Sequence, residues 1–150
     1  MRRALPALTL AAALLVAGCG GSDSDNFADD YKPLNDKLLR LGREAGTAVT
    51  TIPRRSPNQN GRTFGSLAQD VGEIQQQFDD LDPPDDLKQP LDDLVSGLGD
   101  LQGQLENIET EVGKRNLRPA AVVRQLRPSA QAVNRAQDKL ARATGAKVGN

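Results

Sequence analysis

The sequence predicts an all-α protein: an antiparallel up-down four-helix bundle with heptad seams, preceded by a cleaved signal peptide and a short flexible tether. Three observations carry that expectation. Apolar residues recur at steps of four and three in four separate runs, which is the spacing of a buried helical stripe and not the alternation of a strand. Clusters of proline, glycine and asparagine divide one run from the next. Aromatic content is 3% with no tryptophan, a composition that favours helices over a pleated sheet.

The chain opens with Arg2 and Arg3, followed by fourteen apolar or small residues from Ala4 to Ala17 and a small-residue site at Ala17-Gly18. These are the three parts of an export signal. A membrane span needs about 20 apolar residues, so this stretch is too short to stay in the bilayer and is expected to be removed as a signal peptide covering residues 1–18. That leaves 132 residues, the size of one domain with its own core. Cys19 is the single cysteine, so no internal disulfide is available.

The stretch Leu15-Val16-Ala17-Gly18-Cys19 resembles the lipobox of bacterial lipoproteins. The resemblance implies that Cys19 is lipidated by a diacylglyceryl transferase and becomes the mature N-terminus. The chain is then extracytoplasmic and anchored to a bilayer through acylated Cys19, on the outer face of the plasma membrane or on an outer membrane where one exists. Arg2-Arg3 lacks the rest of a twin-arginine motif, which points to general secretion, and Gly20 is not the aspartate of an inner-membrane retention signal. Residues 19–26, running from Cys19 through Gly20-Gly21-Ser22-Asp23-Ser24-Asp25-Asn26, read as the tether. Seven such residues reach about 15 Å, so the domain sits close to the bilayer.

The bundle is expected over 27–146, with helices at about 26–52, 62–81, 84–115 and 119–144. The first seam is Phe27, Tyr31, Leu34, Leu38, Leu41, Ala45, Ala48 and Ile52. The breaker-rich loop Pro53 to Gly61 leads to a second, Phe64, Leu67, Val71, Ile74, Phe78 and Leu81. The phase breaks at Asp82-Pro83-Pro84, and proline in a helix's first turn marks a new start. An end-to-end stack of the second and third helices is the alternative that this proline pair opposes. The third seam, Leu87, Leu91, Leu94, Leu98, Leu101, Leu105, Ile108 and Val112, is the greasiest and should be central, with a bend near Pro90 and a stop at Gly113 and Asn116. The fourth, Val122, Leu126, Ser129, Val133, Ala136, Leu140 and Ala143, keeps phase through Pro128 and closes at Gly145. Its small residues predict that the fourth helix is the least tightly held. Gly99 and Gly103 lie off the leucine seam and are expected to face solvent.

Charge is unevenly spread. From Phe64 to Glu111 thirteen acidic residues face Lys88 alone, whereas from Val112 to Asn150 nine basic residues face Asp138 alone. Complementary packing of the third and fourth helices together with solvated faces is the plainer expectation, with each exposed ion pair worth little. The sharper one is an anionic-surface site made of Arg118, Arg124, Arg127, Arg135, Lys139 and Arg142, turned toward lipid headgroups or an anionic envelope polymer. A formal charge of −1 implies no nucleic-acid partner. Asp79, Asp80, Asp82, Asp85 and Asp86 match no calcium-loop spacing; Asp82, Asp85 and Asp86 are expected to cap free amides of the third helix and to complement its positive end.

The chain has no histidine, and its one thiol is assigned to lipid, so the usual general base and nucleophile pairs are missing. No catalytic residue, metal site or cofactor is expected. A lipobox, a Gly/Ser/Asp tether and leucine seams joined through Leu81-Asp82-Pro83-Pro84-Asp85-Asp86-Leu87 together resemble the small helical-bundle lipoproteins of bacterial envelopes. The expected function is a non-enzymatic binding or structural module of the envelope, partnered by the bilayer and by an envelope protein or anionic polymer. The alternative is a carrier that holds an amphipathic small molecule between its helices.

Overall fold

The computed structural model describes residues 23–112 and 118–148. Helix α1 spans Asp23–Thr51 and ends in a single 3-10 turn at Ile52–Arg54; α2 spans Pro57–Asp79, α3 Lys88–Val112 and α4 Pro119–Thr144. No strand occurs among the described residues. Each helix packs on the next and α4 returns to α1, so the four form a closed ring. Gly65 faces Glu109, Gly72 faces Gln102 and Gly99 faces Gln75, which sets α2 antiparallel to α3. Lys37 reaches Gln77 while Arg55 reaches Thr63, which does the same for α1 and α2. The fold is the up-down bundle that short links demand. Cys19 and the signal segment 1–18 lie outside the described residues, as do residues 113–117 with the expected stop at Gly113 and Asn116.

The seams are the core. All of Phe27, Tyr31, Phe64, Phe78, Leu94, Leu98, Leu105, Ile108, Val122 and Leu140 are buried. Three details depart from expectation. Helix α1 starts at Asp23, so it takes in the last four residues of the expected tether, where Asp25 suits the positive end of the helix dipole. Helix α2 starts at Pro57 rather than near residue 62: Ser56 accepts from the Gln59 amide while the Gln59 side chain accepts from the Ser56 amide, a capping box that outweighs Gly61. Helix α3 starts at Lys88, which puts Pro90 in a first turn whose amides have no helical partner in any case.

The end of α4 also shifts. Ala143 is exposed, and Gln137, Ala141 and Thr144 are buried in its place. A straight helix drifts about 20° per heptad against a strict seven-residue repeat, so the buried face moves off the last seam position. Gly145 then ends the helix at φ 66°, a conformation costly for any residue with a Cβ, and Ala146 N–H donates to the Ala141 carbonyl at 3.0 Å.

The missing side chain at Gly97 lets α3 and α4 approach closely. A Cβ on Gly97 would meet Val133 Cγ2 at 3.1 Å and the Val133 backbone nitrogen at 3.3 Å. Gly99 likewise faces α2, with Gln75 Nε2 at 3.0 Å from its Cβ position, and not solvent as expected. The α2–α3 seam repeats this device, with the side chains of Gln75, Gln102 and Glu109 laid over opposing glycines.

A buried polar cluster crosses the α1–α4 interface. Gln137 Nε2 donates to Asn35 Oδ1 at 2.8 Å, and Asn35 Nδ2 donates to the Lys147 carbonyl at 2.9 Å. The Tyr31 hydroxyl lies 3.3 Å from Asn35 Oδ1 and 3.4 Å from the Gln137 carbonyl, sharing one proton between them. A slip of α4 along α1 would strand these groups, at about 1–3 kcal/mol for each unpaired one. The cluster therefore sets the register and pins the C-terminal segment along α1. Burial, with the Asp138 charge as a smaller cause, pushes the Tyr31 phenol well above its ordinary value.

Gly42 and Gly46 have open space around their Cβ positions. Alanine there should raise the free energy of unfolding in urea by about 0.5–1 kcal/mol each. Gly97→Ala should lower it, and equal gains at all three sites would contradict the close α3–α4 approach. A phenol with a raised folded value binds its proton more tightly when folded, so its stabilising effect is intact below pH of about 10 and is lost as pH rises past it. Tyr31 is the single tyrosine and there is no tryptophan, so phenolate absorbance reports this site alone. The phenolate should form only as the protein unfolds, and Tyr31→Phe should flatten the alkaline fall in Tm; ordinary titration in the folded state would refute the burial.

Candidate functional site

Helix α4 places its charges by helical periodicity. Arg124, Arg127, Arg135, Lys139 and Arg142 follow one another at three, eight, four and three residues, which puts them on one face. All five are exposed, while Val122, Leu126, Ser129, Val133, Ala136 and Leu140 occupy the opposite, buried stripe. Arg118 is exposed too but is the extended N-cap residue of α4, so it stands at the helix end and outside the row. Five of the six expected residues thus form a continuous basic ridge.

Of the plainer expectation, the solvated faces are seen, but no ion pair joins the third and fourth helices among the described residues. Among the described residues the ion pairs are Asp29–Lys32, Arg40–Glu44, Asp85–Lys88 and Asp36–Lys147, and none includes a residue of the α4 ridge. The reason is geometric. Helices α3 and α4 meet through Gly97 and Val133, while the arginines point the other way. The thirteen acidic residues from Asp70 to Glu111 are likewise all exposed.

The aspartates of the α2–α3 turn stand just before the positive end of α3, but among the described residues they do not cap it by hydrogen bonds. Asp85 binds Lys88 Nζ at 2.7 Å, and no hydrogen bond from Asp82, Asp85 or Asp86 to an α3 amide occurs among the described residues. Lys88 holds the Asp85 carboxyl below its usual range, first by the hydrogen bond and then by its charge, and Asp85 raises Lys88 in return. No group of three or more potential metal ligands comes together among the described residues.

A second basic site was not legible in the seams. At the far end of the bundle from the start of α1, an open cleft of about 570 Å³ lies between α1 and α2. Arg40 and Arg43 come from α1, Arg55 from the link, and Arg62 from the first turns of α2. A smaller depression of about 360 Å³ continues from it, sharing Arg40, Glu44 and Asp70 and ending at Lys37 and Gln77. Arg62 and Thr63 fall on helix whether α2 starts at Pro57 or near residue 62; the turn at the Ser56 capping box sets Arg55 beside them, within reach of Thr63 Oγ1 at 3.1 Å. Reading Ser56-Pro57-Asn58-Gln59 as a capping box was the signal that would have revealed it.

Comparison with protein-family models, with curated proteins and with solved structures gives no match. The functional reading therefore rests on surface chemistry.

If the α4 ridge is solvated and not a packing device, Arg124→Glu, Arg127→Glu and Arg135→Glu combined should change unfolding free energy by no more than about 0.5 kcal/mol per site. Chemical denaturation measures it. A total loss above about 3 kcal/mol would mean that these arginines hold α4 in place.

Proposed function

We propose that the protein is a lipid-anchored, non-enzymatic binding or structural module of the bacterial cell envelope, held by acylated Cys19 and meeting an anionic surface through the α4 ridge. The observation that supports the reading most is the row Arg124, Arg127, Arg135, Lys139 and Arg142, exposed and free of ion pairs among the described residues. Juxtamembrane Lys and Arg contribute about 1 kcal/mol each near an anionic bilayer, so five together give useful affinity without a pocket.

The anchor narrows the geometry. Four residue steps separate Cys19 from the start of α1 at Asp23, a span of at most about 14 Å even when fully extended. The α2–α3 turn and the C-terminal segment lie at that same end, where Phe78 sits 5.7 Å from Tyr31 and Lys147 pairs with Asp36. That end carries Asp79, Asp80, Asp82, Asp85 and Asp86, all exposed. End-on contact with anionic lipid is therefore repulsive, and contact along the length of α4 is the attractive alternative. The carrier reading draws no support from the α1–α2 cleft, whose lining is mostly charged and hydroxylated.

Metabolic labelling with a fatty-acid analogue should mark the wild-type chain and not Cys19→Ala, and Cys19→Ala should release the protein from the membrane fraction. The domain without its acyl chains should sediment with anionic vesicles and not with neutral ones, and the triple arginine reversal should abolish sedimentation. Equal pelleting on both vesicle types would sink the role assigned to α4.

A further inference from the structure

We propose that the arginine cleft between α1 and α2 is a binding site for a small, multiply charged phosphate-type oxyanion. It is independent of the α4 ridge, and only its choice of a soluble over a lipid ligand rests on the membrane anchor proposed above. Arg40, Arg43, Arg55 and Arg62 outnumber the two carboxylates of the cleft, Glu44 and Asp70, which leaves a formal charge of +2 on a chain whose total is −1. A dianion balances that charge.

The cleft is partly preorganised. Arg55 Nη1 donates to Thr63 Oγ1 at 3.1 Å, and the same hydroxyl donates to the Gln59 carbonyl at 2.9 Å, so the guanidinium is held before any ligand arrives. Fixing a donor in advance removes part of the ordering cost of binding. Arg43 and Arg62 make no ion pair among the described residues, and Arg40 meets Glu44 only at 3.8 Å in an exposed pair of little worth. Guanidinium forks from both walls suit an oxyanion that presents acceptors in several directions, as a phosphate does and a single planar carboxylate does not. Ser66 adds a hydroxyl one turn beyond Arg62.

Size and composition narrow the class further. About 570 Å³ lies within the range of small-ligand sites. All four aromatic side chains, Phe27, Tyr31, Phe64 and Phe78, are buried in the core, so the cleft has no ring on which a nucleobase could stack. The ligand is thus recognised by its charged oxygens and not by a base. Phosphate oxygens of this kind belong both to soluble pyrophosphate-like compounds and to lipid headgroups, and the position of the cleft away from the anchored end favours the soluble source.

The test is calorimetric titration of the full chain, kept in neutral detergent, with inorganic pyrophosphate. Saturable binding should weaken at least about tenfold in Arg43→Gln/Arg62→Gln and stay within about twofold of wild type in Arg124→Gln/Arg127→Gln. Both pairs are exposed, and matched unfolding curves confirm that they fold. In parallel, arginine side-chain nitrogen NMR on the wild-type chain should show pyrophosphate shifts confined to Arg40, Arg43, Arg55 and Arg62. Absence of saturable binding, equal weakening in both double variants, or shifts spread over all arginines would overturn the proposal. Binding to anionic vesicles that depends on Arg43 and Arg62, without any pyrophosphate response, would overturn it in favour of a lipid surface.

Discussion

The rest of the structure depends on the burial of the α3 ridge formed by Leu91, Leu94, Leu98, Leu105, Ile108 and Val112. A helix with one apolar stripe cannot hide it alone, and each fully buried leucine is worth about 1.5–3 kcal/mol. Helix α3 therefore needs α2 on one side and α4 on the other, and it approaches both most closely. Glycines make that approach possible at a few chosen points. Gly97 admits the backbone of α4, while Gly72 and Gly99 admit glutamine side chains from across the α2–α3 seam. Helix α1 completes the ring and closes over Tyr31, Asn35 and Gln137.

Because apolar burial holds the bundle, its charges are free for other tasks. The α4 ridge is exposed along a whole helix face, and the acidic residues of α2 and α3 are solvated as well. The two populations share a molecule without neutralising each other through ion pairs among the described residues. Exposed pairs contribute little to stability, so nothing in the energetics of folding demands that they meet. The outcome is a surface whose sign varies with place: acidic at the α2–α3 turn, basic along α4, and basic again in the α1–α2 cleft.

The buried polar residues have a different role. Seam positions tolerate one leucine as readily as another, so apolar packing alone leaves neighbouring registers close in energy. Asn35 and Gln137 bond only in the observed register, and the Lys147 carbonyl ties the C-terminal segment to α1. Asn60 does similar work at the opposite end, donating to the Ile52 carbonyl at 3.1 Å across the α1–α2 link.

By itself the sequence determined the all-α class, the number of helices and nearly every core residue, because a seam of four-three spacing can be buried only on a helix and the steps survive in the primary structure. It also determined that α4 would carry a basic face, since Arg124, Arg127, Arg135, Lys139 and Arg142 share the same periodicity. The tertiary structure alone decided where those charges point relative to α3, which glycines are contact points, and that Asn35, Gln137 and Thr144 are inside. Ala143 left the core for the same reason that Gly99 entered an interface: helical drift and axis separation depend on what the neighbouring helix presents. The arginine cleft is the clearest case. Arg40, Arg43, Arg55 and Arg62 are spread over twenty-three positions of the chain and share no spacing rule, and only the antiparallel return of α2 from its capping box at Ser56 brings them together.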